Sequence, residues 1–375
     1  MINKQRLVTL TRDLIKINSE NPPGNEYKIA RFIEKTLKNI GLTTLLYEFT
    51  KGRPNVIGIL QGDDIHKSLL LTPHVDTVPA GKGWKYPPFA AKIEKGRIYG
   101  RGATDCKGNV AAGIEALTSL KEDGVSLRHT LLFAATVDEE TGSKFGLLPL
   151  IEEKILKPSA AVILDSDVFN IIVAQKGLIH FKISISGKKA HGAYPERGIN
   201  AIECATKIIT KLKNYKFRYK KHPLLKSPTI NIGTIRGGDK VNMVADWCEV
   251  EVDLRFLPGM NGQEILRQIR ALIATVTKQF KITVHDMQIP CEVDIHHPLV
   301  KCLKDTNKRI VGSPRLKGSE GATVLTFFAA ANIPSVATGF GTPKCAHTTD
   351  EYVRINDLYK GARVLEAFIK EYDKQ

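Results

Sequence analysis

The sequence lacks any run of about 20 consecutive apolar residues, the length that a membrane-spanning helix needs. Its six cysteines are scattered and include no Cys-x-x-Cys pair, which argues against both a zinc knuckle and a disulfide framework. The first 14 residues include Lys4, Arg6, Arg12 and Asp13, so the uninterrupted apolar stretch of a signal peptide is missing. Together these absences predict a soluble, cytoplasmic protein.

Acidic residues are the scarcer charge, with 39 Asp and Glu against 55 Lys and Arg, a formal net charge of +16. A field of this sign favours anionic small substrates, nucleic acid or merely solubility, so charge alone selects no function. The densest basic run extends from Lys207 to Lys226 and contains the aromatic residues Tyr215, Phe217 and Tyr219, but no nucleic-acid-binding motif accompanies it. We expect a solvated helix end and loop there, with a nucleic-acid-binding protein as a distant alternative.

The chain has 375 residues and 42% hydrophobic composition, which is enough for two domains. Over the first 175 or so residues, apolar patterns of helical and strand periodicity alternate and predict an α/β unit. Between residues 178 and 289 the order becomes β-α-β-β-α-β, which predicts an inserted ferredoxin-like layer of two helices on an antiparallel sheet. We therefore expect a discontinuous first domain, residues 1–177 and 290–375, and a second domain, residues 178–289.

The first polar cluster directly follows the apolar run 69–71, at the carboxyl end of a predicted strand, where open α/β sheets bind their ligands. Period-two alternation puts His74 and Asp76 on the same side of the chain. A metal-binding histidine commonly donates its second ring N–H to a carboxylate, so Asp76 could orient His74 directly or through another group. By itself a His-x-Asp pair is equally compatible with a structural role.

Two further clusters place acids at chain bends. Asp105 lies in the glycine-rich turn 99–109 before a predicted helix, where it could point inward or simply cap that helix. Asp138, Glu139 and Glu140 follow an apolar strand, and three adjacent acids repel one another unless a divalent cation relieves the repulsion. An exposed acidic turn is the alternative interpretation.

Asp165 ends the apolar run 160–164, with Asp167 close behind it, and a late histidine follows a glycine-rich segment near the C-terminus. A lone histidine in such a loop is more often structural than a ligand. Together, however, the candidate residues at strand ends and loops supply two nitrogen and several oxygen donors: His74, Asp105, Glu140, Asp165 and His347. The combination predicts a site for a pair of divalent metal ions.

These motifs resemble those of the M20 metallopeptidase family, in order and over nearly the whole chain. The matching segments are His74 to Val78, Gly100 to Gly108, Asp138 to Glu140, and His347. The family includes acetylornithine deacetylases, succinyl-diaminopimelate desuccinylases, aminoacylases and glutamate carboxypeptidases. The resemblance implies a zinc-exopeptidase-like α/β catalytic domain with an inserted ferredoxin-like α+β lid and dimerisation domain.

The resemblance also implies a dinuclear metal site. His74 and Asp165 would bind one ion, Glu140 and His347 the other, and Asp105 would bridge the two. Two ions about 3.5–4 Å apart can share a water, lower its pKa toward ~7 and polarise a scissile carbonyl. Zinc is the expected metal, and a carboxylate-rich site also tolerates cobalt or manganese.

Two acids near this site have other implied roles. Asp76 would orient His74, and Glu139 would be the general base and acid that moves the proton of the attacking water. A cis peptide bond between Asp105 and Cys106 is implied as well. Cys106 is a departure, because aspartate or methionine is usual at that position of the family.

The insert contributes three candidates by resemblance. His191 matches a lid histidine that, in dimeric members, reaches the partner's active site and stabilises the tetrahedral oxyanion. Asn242 and Arg255 match positions that hold the substrate carboxylate, a task that suits a guanidinium because it forms paired, charged hydrogen bonds with carboxylates. A surface arginine in an ordinary salt bridge is the alternative for Arg255.

The resulting hypothesis is a homodimeric amidohydrolase with two metal ions per chain. It would cleave the amide bond of a small N-acyl amino acid that bears a free carboxylate. An M20 carboxypeptidase or dipeptidase acting on short peptides is the alternative, because both types share this machinery. The loop 318–323 lacks the sequence motif that is common in desuccinylases, which weakens the assignment of this chain as a desuccinylase.

Overall fold

The structure is a computed structural model that describes residues 1–165 and 168–375. The chain forms two compact units. The first comprises residues 1–173, 293–317 and 327–375, and the second comprises residues 174–292 and 318–326. Relative to the expected borders at 178 and 289, the second unit is a few residues longer at each end and also takes in the segment 318–326.

Helices and strands alternate along the chain, as the apolar patterns predict. The helices are α1 (Lys4–Lys16), α2 (Tyr27–Asn39), α3 (Lys107–Glu122), α4 (Leu147–Glu152), α5 (Ala201–Asn214), α6 (Gly262–Ala274), α7 (Pro298–Ile310), α8 (Leu325–Ala330) and α9 (Ile355–Tyr372). The strands are β1 (Thr43–Tyr47), β2 (Asn55–Leu60), β3 (Asp64–Thr72), β4 (Lys92–Glu94), β5 (Arg97–Tyr99), β6 (His129–Ala135), β7 (Ala160–Leu164), β8 (Ile171–Gln175), β9 (Gly177–Ser186), β10 (Thr229–Gly237), β11 (Trp247–Phe256), β12 (Phe280–Gln288), β13 (Cys291–Glu292), β14 (Leu316–Ser319), β15 (Ser335–Thr338) and β16 (Tyr352–Arg354). Within the described residues, no helix combines the length and apolarity that crossing a membrane requires.

A mixed central sheet organises the chain, with strand order β1-β2-β6-β3-β7-β15-β8-β13 and β14 beside β8. The four middle strands β6, β3, β7 and β15 run parallel to one another. Leu69 of β3 pairs with Leu131 of β6 on one side and with Ala160 of β7 on the other. All five residues of β7 are buried, as expected for a parallel strand that is covered on both faces.

Helices α1, α3 and α9 pack together in the first unit. Helix α3 is buried along most of its length, which explains its almost unbroken run of small and apolar residues. Helix α1 is amphipathic instead and buries Leu7, Leu10 and Leu14. Arg6 of α1 also forms an ion pair of 2.7 Å with the buried Glu115 of α3. Helix α3 begins two residues after Asp105, so its packing fixes the position of the candidate site.

The second unit has the predicted order of elements, β9-α5-β10-β11-α6-β12. Its strands form an antiparallel sheet in the order β10-β11-β9-β12, as in ferredoxin-like layers. Alternate residues of β9 and β11 are buried, and their buried side chains form one core with α5 and α6. Helix α6 ends at Ala274, where the β-branched residues Thr275, Val276 and Thr277 disfavour helix.

Candidate active site

The candidate residues follow four adjacent parallel strands at their carboxyl ends. His74 follows β3, Glu139 and Glu140 follow β6, Asp165 directly follows β7, and His347 lies in the loop after β15. Because β6, β3, β7 and β15 are neighbours and point the same way, these four ends meet at one edge of the sheet. The sheet therefore gathers side chains that lie far apart in the sequence.

His74 is buried and held in one orientation. Its Nδ1 lies 3.0 Å from the main-chain oxygen of Asp76, and its Nε2 lies 3.0 Å from Oδ1 of Asp105. A carbonyl oxygen can only accept a hydrogen bond, so Nδ1 is the protonated nitrogen in the neutral ring. The lone pair of Nε2 then faces Asp105, which is the tautomer that a metal ligand needs.

Asp105 is shared by two groups of potential metal ligands, one with His74 and Cys106 and one with Glu140 and His347. Within each group, the potential donor atoms lie within 4.8 Å of one another. Oδ1 of Asp105 faces His74, and Oδ2 lies 3.3 Å from Nε2 of His347. The same Nε2 of His347 lies 3.2 Å from Oε1 of Glu140. A carboxylate with one oxygen directed at each group is suited to bridge two cations.

Glu351 holds the loop that carries Asp105. Its buried carboxylate accepts hydrogen bonds from the main-chain N–H groups of Gly102, Thr104 and Asp105, at 3.1, 2.8 and 3.0 Å. It also accepts one from Nη1 of Arg101 at 2.7 Å. These four donors fix the loop backbone immediately before the Asp105 side chain.

Glycine is required where this loop passes the preceding polar cluster. Gly102 has φ +81°, and a Cβ there would lie 2.7 Å from Cγ2 of Thr77. The peptide bond between Asp105 and Cys106 is cis, as predicted. A second close approach occurs at Gly339, where a Cβ would lie 1.4 Å from the main-chain oxygen of Asp165. Both glycines therefore allow candidate site loops to pack closely.

The turn that carries Glu139 and Glu140 is set by Asp138. Asp138 has φ +65°, a left-handed conformation that is uncommon outside glycine. Its carboxylate accepts hydrogen bonds from Thr141 Oγ1 at 2.6 Å and from the main-chain N–H of Phe145 at 3.1 Å. It also lies 3.0 Å from Nη2 of Arg53. The carboxylate of the first of the three acids is therefore engaged by groups of the protein itself, among them the cation of Arg53.

Asp76 contributes differently from the simplest expectation. Its carboxylate oxygen lies 3.5 Å from Nδ1 of His74, farther than its own main-chain oxygen at 3.0 Å. The carboxylate instead accepts the main-chain N–H groups of Glu139 and Glu140, both at 3.1 Å, and Nδ2 of Asn21 at 2.9 Å. Asp76 therefore ties the turn of the two glutamates to the strand end that carries His74.

The two glutamates are acids in a crowded, buried environment. Burial, helped by the charges of neighbouring acids, raises the pKa of both Glu139 and Glu140 to about 7. The hydrogen bond to Asp105 is the main cause that raises the pKa of His347 to about 9. Such a cluster favours a bound cation, because a cation stabilises the ionised carboxylates.

Neither ligand group of the described residues includes Asp165. Its main-chain N–H donates to Thr338 at 2.9 Å, and its charge contributes to the raised pKa of Glu139, so the carboxylate lies near the site. Cys106 takes a place in the first group, but burial raises the pKa of its thiol to about 12 and its Sγ donates to the main-chain oxygen of His74. A protonated thiol is a poor metal ligand. Asp167 lies outside the described residues.

His191 and Asn242 lie together in the second unit. The main-chain N–H of Gly192 donates to the main-chain oxygen of Asn242 at 2.8 Å. His191 forms an isolated β-bridge with Met243. The N–H of Ala193 donates to Nδ1 of the exposed His191 at 3.1 Å. In the neutral ring the proton is therefore on Nε2, which is left free to donate to another group.

Arg255 has a partner on its own strand. Its Nε and Nη2 donate to the two carboxylate oxygens of Asp253 at 2.8 and 2.9 Å. Nε2 of His180 lies 3.0 Å from the same carboxylate. Binding of a substrate carboxylate by Arg255 would therefore have to compete with, or share, this paired contact.

Three residues that organise the site were not identified from the sequence: Asn21, Arg53 and Glu351. Arg53 and Asn21 act through contacts with Asp138 and Asp76, which are distant in sequence, and no local pattern indicates such contacts. The sequence did offer an indication for Glu351, because this residue lies four residues after the candidate ligand His347, in a polar segment just before the last helix. Its position beside Asp105 is visible only in the fold.

A family model described as peptidase family M20/M25/M40 matches residues 70–371. Acetylornithine deacetylase of Proteus mirabilis (strain HI4320) is 32% identical over 316 residues, which cover 81% of this chain and 79% of that protein. The crystal structure of aminopeptidase PepT from Bacillus cereus ATCC 10987 is similar with a TM-score of 0.82 and 27% identity, over 99% of both chains. A tripeptidase from Staphylococcus aureus subsp. aureus Mu50 is similar with a TM-score of 0.79 and 26% identity, over 100% of both chains.

Proposed function

The chain belongs to the peptidase family M20/M25/M40, and we propose that it is a dinuclear metal hydrolase of small N-acyl amino acids. The reaction is hydrolysis of the amide bond between an acyl group and an amino acid with a free carboxylate. The similarity to an acetylornithine deacetylase supports this choice of substrate. The similarity in fold to an aminopeptidase and a tripeptidase favours the alternative, cleavage of short peptides.

The observation that carries the proposal is the shared carboxylate of Asp105. One of its oxygens faces Nε2 of His74, and the other faces Nε2 of His347 and the carboxylate of Glu140. Without a cation, this arrangement brings buried carboxylates together at a cost in free energy. The donor set of imidazole and carboxylate therefore fits two divalent cations.

We assign the ligands in two sets around Asp105, which bridges them. His74 and Asp165 hold the first ion, and Glu140 and His347 hold the second. Imidazole and carboxylate donors suit zinc, and cobalt or manganese would also be accepted. When bound, the two ions polarise the scissile carbonyl and lower the pKa of the attacking water.

Glu139 is the proposed general base and acid. Asp76 anchors the main-chain N–H groups of both glutamates, so the adjacent side chains are presented from one rigid turn. Oε1 of Glu140 lies 3.2 Å from Nε2 of His347. Glu139, in contrast, belongs to neither ligand group of the described residues. Glu139 would therefore take the proton of the attacking water and deliver it to the leaving nitrogen.

The second unit supplies the proposed contacts to the rest of the substrate. Asn242 and Arg255 would hold the substrate carboxylate, the latter by exchanging part of its contact with Asp253. His191, with its proton on Nε2, would donate to the oxyanion of the tetrahedral intermediate. We propose that this happens in a homodimer formed through the second unit, with His191 serving the partner's site.

The cysteines support a reducing compartment. All six cysteines are free. Three of them, Cys106, Cys302 and Cys345, belong to the first unit and are buried. Unpaired cysteines are typical of cytosolic proteins, so we propose a cytoplasmic location.

Metal analysis together with a substrate screen tests the function. Metal-loaded protein is expected to hold about two divalent ions per chain and to hydrolyse at least one of three substrate types: N-acetyl amino acids, N-succinyl amino acids or dipeptides. A His347→Ala variant should lose metal and activity, whereas His296→Ala, at an exposed loop histidine, should lose neither. No metal above background, or no hydrolysis of any of the three types by loaded protein, would overturn the proposal.

A further inference from the structure

His347 is far more exposed than the other side chains of the two ligand groups. Its side chain is 52% exposed, whereas those of His74, Asp105 and Glu140 are at most 12% exposed. Close packing on all sides fixes a buried side chain, but it encloses only about half of this imidazole. The orientation of His347 therefore depends mainly on the backbone that carries it.

The backbone of the His347 loop, residues 344–350, is strained at several positions. Lys344, His347 and Asp350 have φ values of +59°, +61° and +55°, in the left-handed region that residues with a side chain rarely adopt. Such a conformation costs free energy and persists only where surrounding contacts enforce it. One of these contacts comes from Lys85, whose main-chain N–H donates to Oδ1 of Asp350 at 2.8 Å.

The buried Arg101 joins the His347 loop to the loop that carries Asp105. Its Nη1 donates to the main-chain oxygen of Thr348, the residue directly after His347, at 3.2 Å. The same nitrogen donates to Oε2 of Glu351 at 2.7 Å. Glu351 in turn accepts the main-chain N–H of Asp105 at 3.0 Å. One guanidinium therefore connects the backbones that carry two candidate ligands.

The segment after β3 fixes this guanidinium in its place. Nη2 of Arg101 lies 3.4 Å from the main-chain oxygen of Pro79, and Cζ lies 5.1 Å from the ring centroid of Trp84. The indole N–H of Trp84 donates to the main-chain oxygen of Ala80 at 2.7 Å, which fixes the ring. An arginine can engage several acceptors with its planar fork while an aromatic ring covers its face. Both the charge and the shape of Arg101 are therefore used.

We propose that Arg101 is a positioning residue that sets His347 against Asp105 and so pre-organises the site of the second metal ion. The inference rests on the proposed function, which assigns Asp105, Glu140 and His347 to that ion. It goes further because it distinguishes the two metal sites. His74, a ligand of the first ion, is held by its own burial and by the main-chain oxygen of Asp76. Loss of the Arg101 contacts should therefore affect the second ion more than the first.

The variant Arg101→Lys tests this role while it keeps the positive charge. Lysine retains a cation for the buried carboxylate of Glu351, but a compact ammonium cannot reproduce the planar fork that also reaches Thr348. Arg97→Lys is the matched control, because Arg97 lies on β5, just before the same loop, and also covers an aromatic ring, at 4.5 Å from its centroid. The control shows whether loss of any nearby guanidinium has the same effect.

Calorimetric titration of Co²⁺ into metal-free protein measures the affinities for both ions. We expect the unmodified protein to bind two ions per chain. In Arg101→Lys the second affinity should fall by about 10- to 100-fold, as is typical for groups that support metal ligands, while the first changes by less than about threefold. Arg97→Lys should change neither. A second affinity that Arg101→Lys leaves unchanged, or a first affinity that falls as much as the second, would overturn the inference.

Hydrogen exchange of the metal-free protein tests the same contacts without a metal. Arg101→Lys should speed exchange of the main-chain amides 345–350 by at least about tenfold, because the loop opens more often, and should leave the turn 139–142 unchanged. If the unmodified protein binds fewer than two ions, the proposed function fails, and the exchange measurement alone decides whether Arg101 holds the His347 loop. Unchanged exchange in that loop, or equal acceleration throughout the first unit, would overturn the inference.

Discussion

At the scale of single residues, the adjacent Glu139 and Glu140 differ in what surrounds their carboxylates. His347 lies 3.2 Å from Glu140, while Glu139 lies outside both ligand groups of the described residues. Sequence adjacency alone could not show this difference. It follows from a turn in which Asp138 and Asp76 fix the backbone on either side.

We predict that Glu139→Gln keeps its metal but loses activity by about 10²- to 10⁴-fold, because an amide cannot accept the proton of the water. Glu140→Gln should instead weaken metal binding, since it removes a charged ligand. Metal content by elemental analysis and kcat on the best substrate separate the two effects. Turnover of Glu139→Gln equal to that of the unmodified enzyme would assign the base to another residue.

Glu351 offers a second test at this scale. Replacing its carboxylate in Glu351→Gln puts an amide NH₂ among the four donors that now share the two oxygens, so the Asp105 loop should loosen. Groups that support metal ligands typically contribute 10- to 100-fold to metal affinity, and we expect a loss of about that size. Competition with a chelating dye measures it. The control is Glu371→Gln, at a partly exposed partner of Arg309, and an unchanged affinity in Glu351→Gln would contradict the prediction.

At the scale of secondary-structure elements, the sequence predicted the order of helices and strands better than it predicted the side-chain contacts between them. The order β-α-β-β-α-β of the insert and the strands before His74, Glu139 and Asp165 are confirmed, because hydrophobic periodicity is a local property of the chain. The sequence also predicted that His74, Asp105, Glu140, Asp165 and His347 converge, from their places at strand ends and loops and from the family resemblance. The structure brings four of them together in the two candidate ligand groups, which do not include Asp165.

Side-chain contacts between different elements could not be predicted from the sequence. The pairing of Arg255 with Asp253 and the role of the Asp76 carboxylate depend on which rotamer and which neighbour prevail in the folded chain. The missed Arg53 is the clearest case. It lies just before β2 and neutralises Glu26, before α2, as well as Asp138, after β6. No spacing rule connects three segments of this kind.

This buried cluster leads to a prediction about the elements that it joins. Arg53→Met leaves the carboxylates of Glu26 and Asp138 buried without their cation, and loss of one partner from a buried ion pair costs about 3–5 kcal/mol. Arg31→Met is the matched control, since the half-exposed Arg31 pairs with Glu34 and its loss should cost less than about 1 kcal/mol. Urea unfolding measures both free energies. Similar values for the two variants would show that the cluster does not stabilise the turn before Glu139.

At the scale of the whole molecule, the proposed reaction needs groups from both compact units. The first unit gathers the candidate metal ligands and Glu139, and the second carries His191, Asn242 and Arg255. The tautomer of His191 suits a donor, because the N–H of Ala193 occupies its Nδ1. Among the described residues no hydrogen bond engages Nε2 of His191, and by the family resemblance we propose that its target is the site of a partner chain.

Mixing two inactive variants decides whether His191 serves the partner. Glu139→Gln lacks the base and His191→Ala lacks the oxyanion donor, a donor typically contributing about 10²- to 10³-fold to the rate. If each site combines Glu139 of one chain with His191 of the other, a mixed dimer has one site with both residues and one site with neither.

Equal amounts of the two variants should therefore recover up to about a quarter of the unmodified activity after subunit exchange, since half of the dimers are mixed and each has one of two sites intact. Tagged chains and co-purification establish the exchange. No recovery despite confirmed exchange would place His191 in its own chain's site or in a purely structural role.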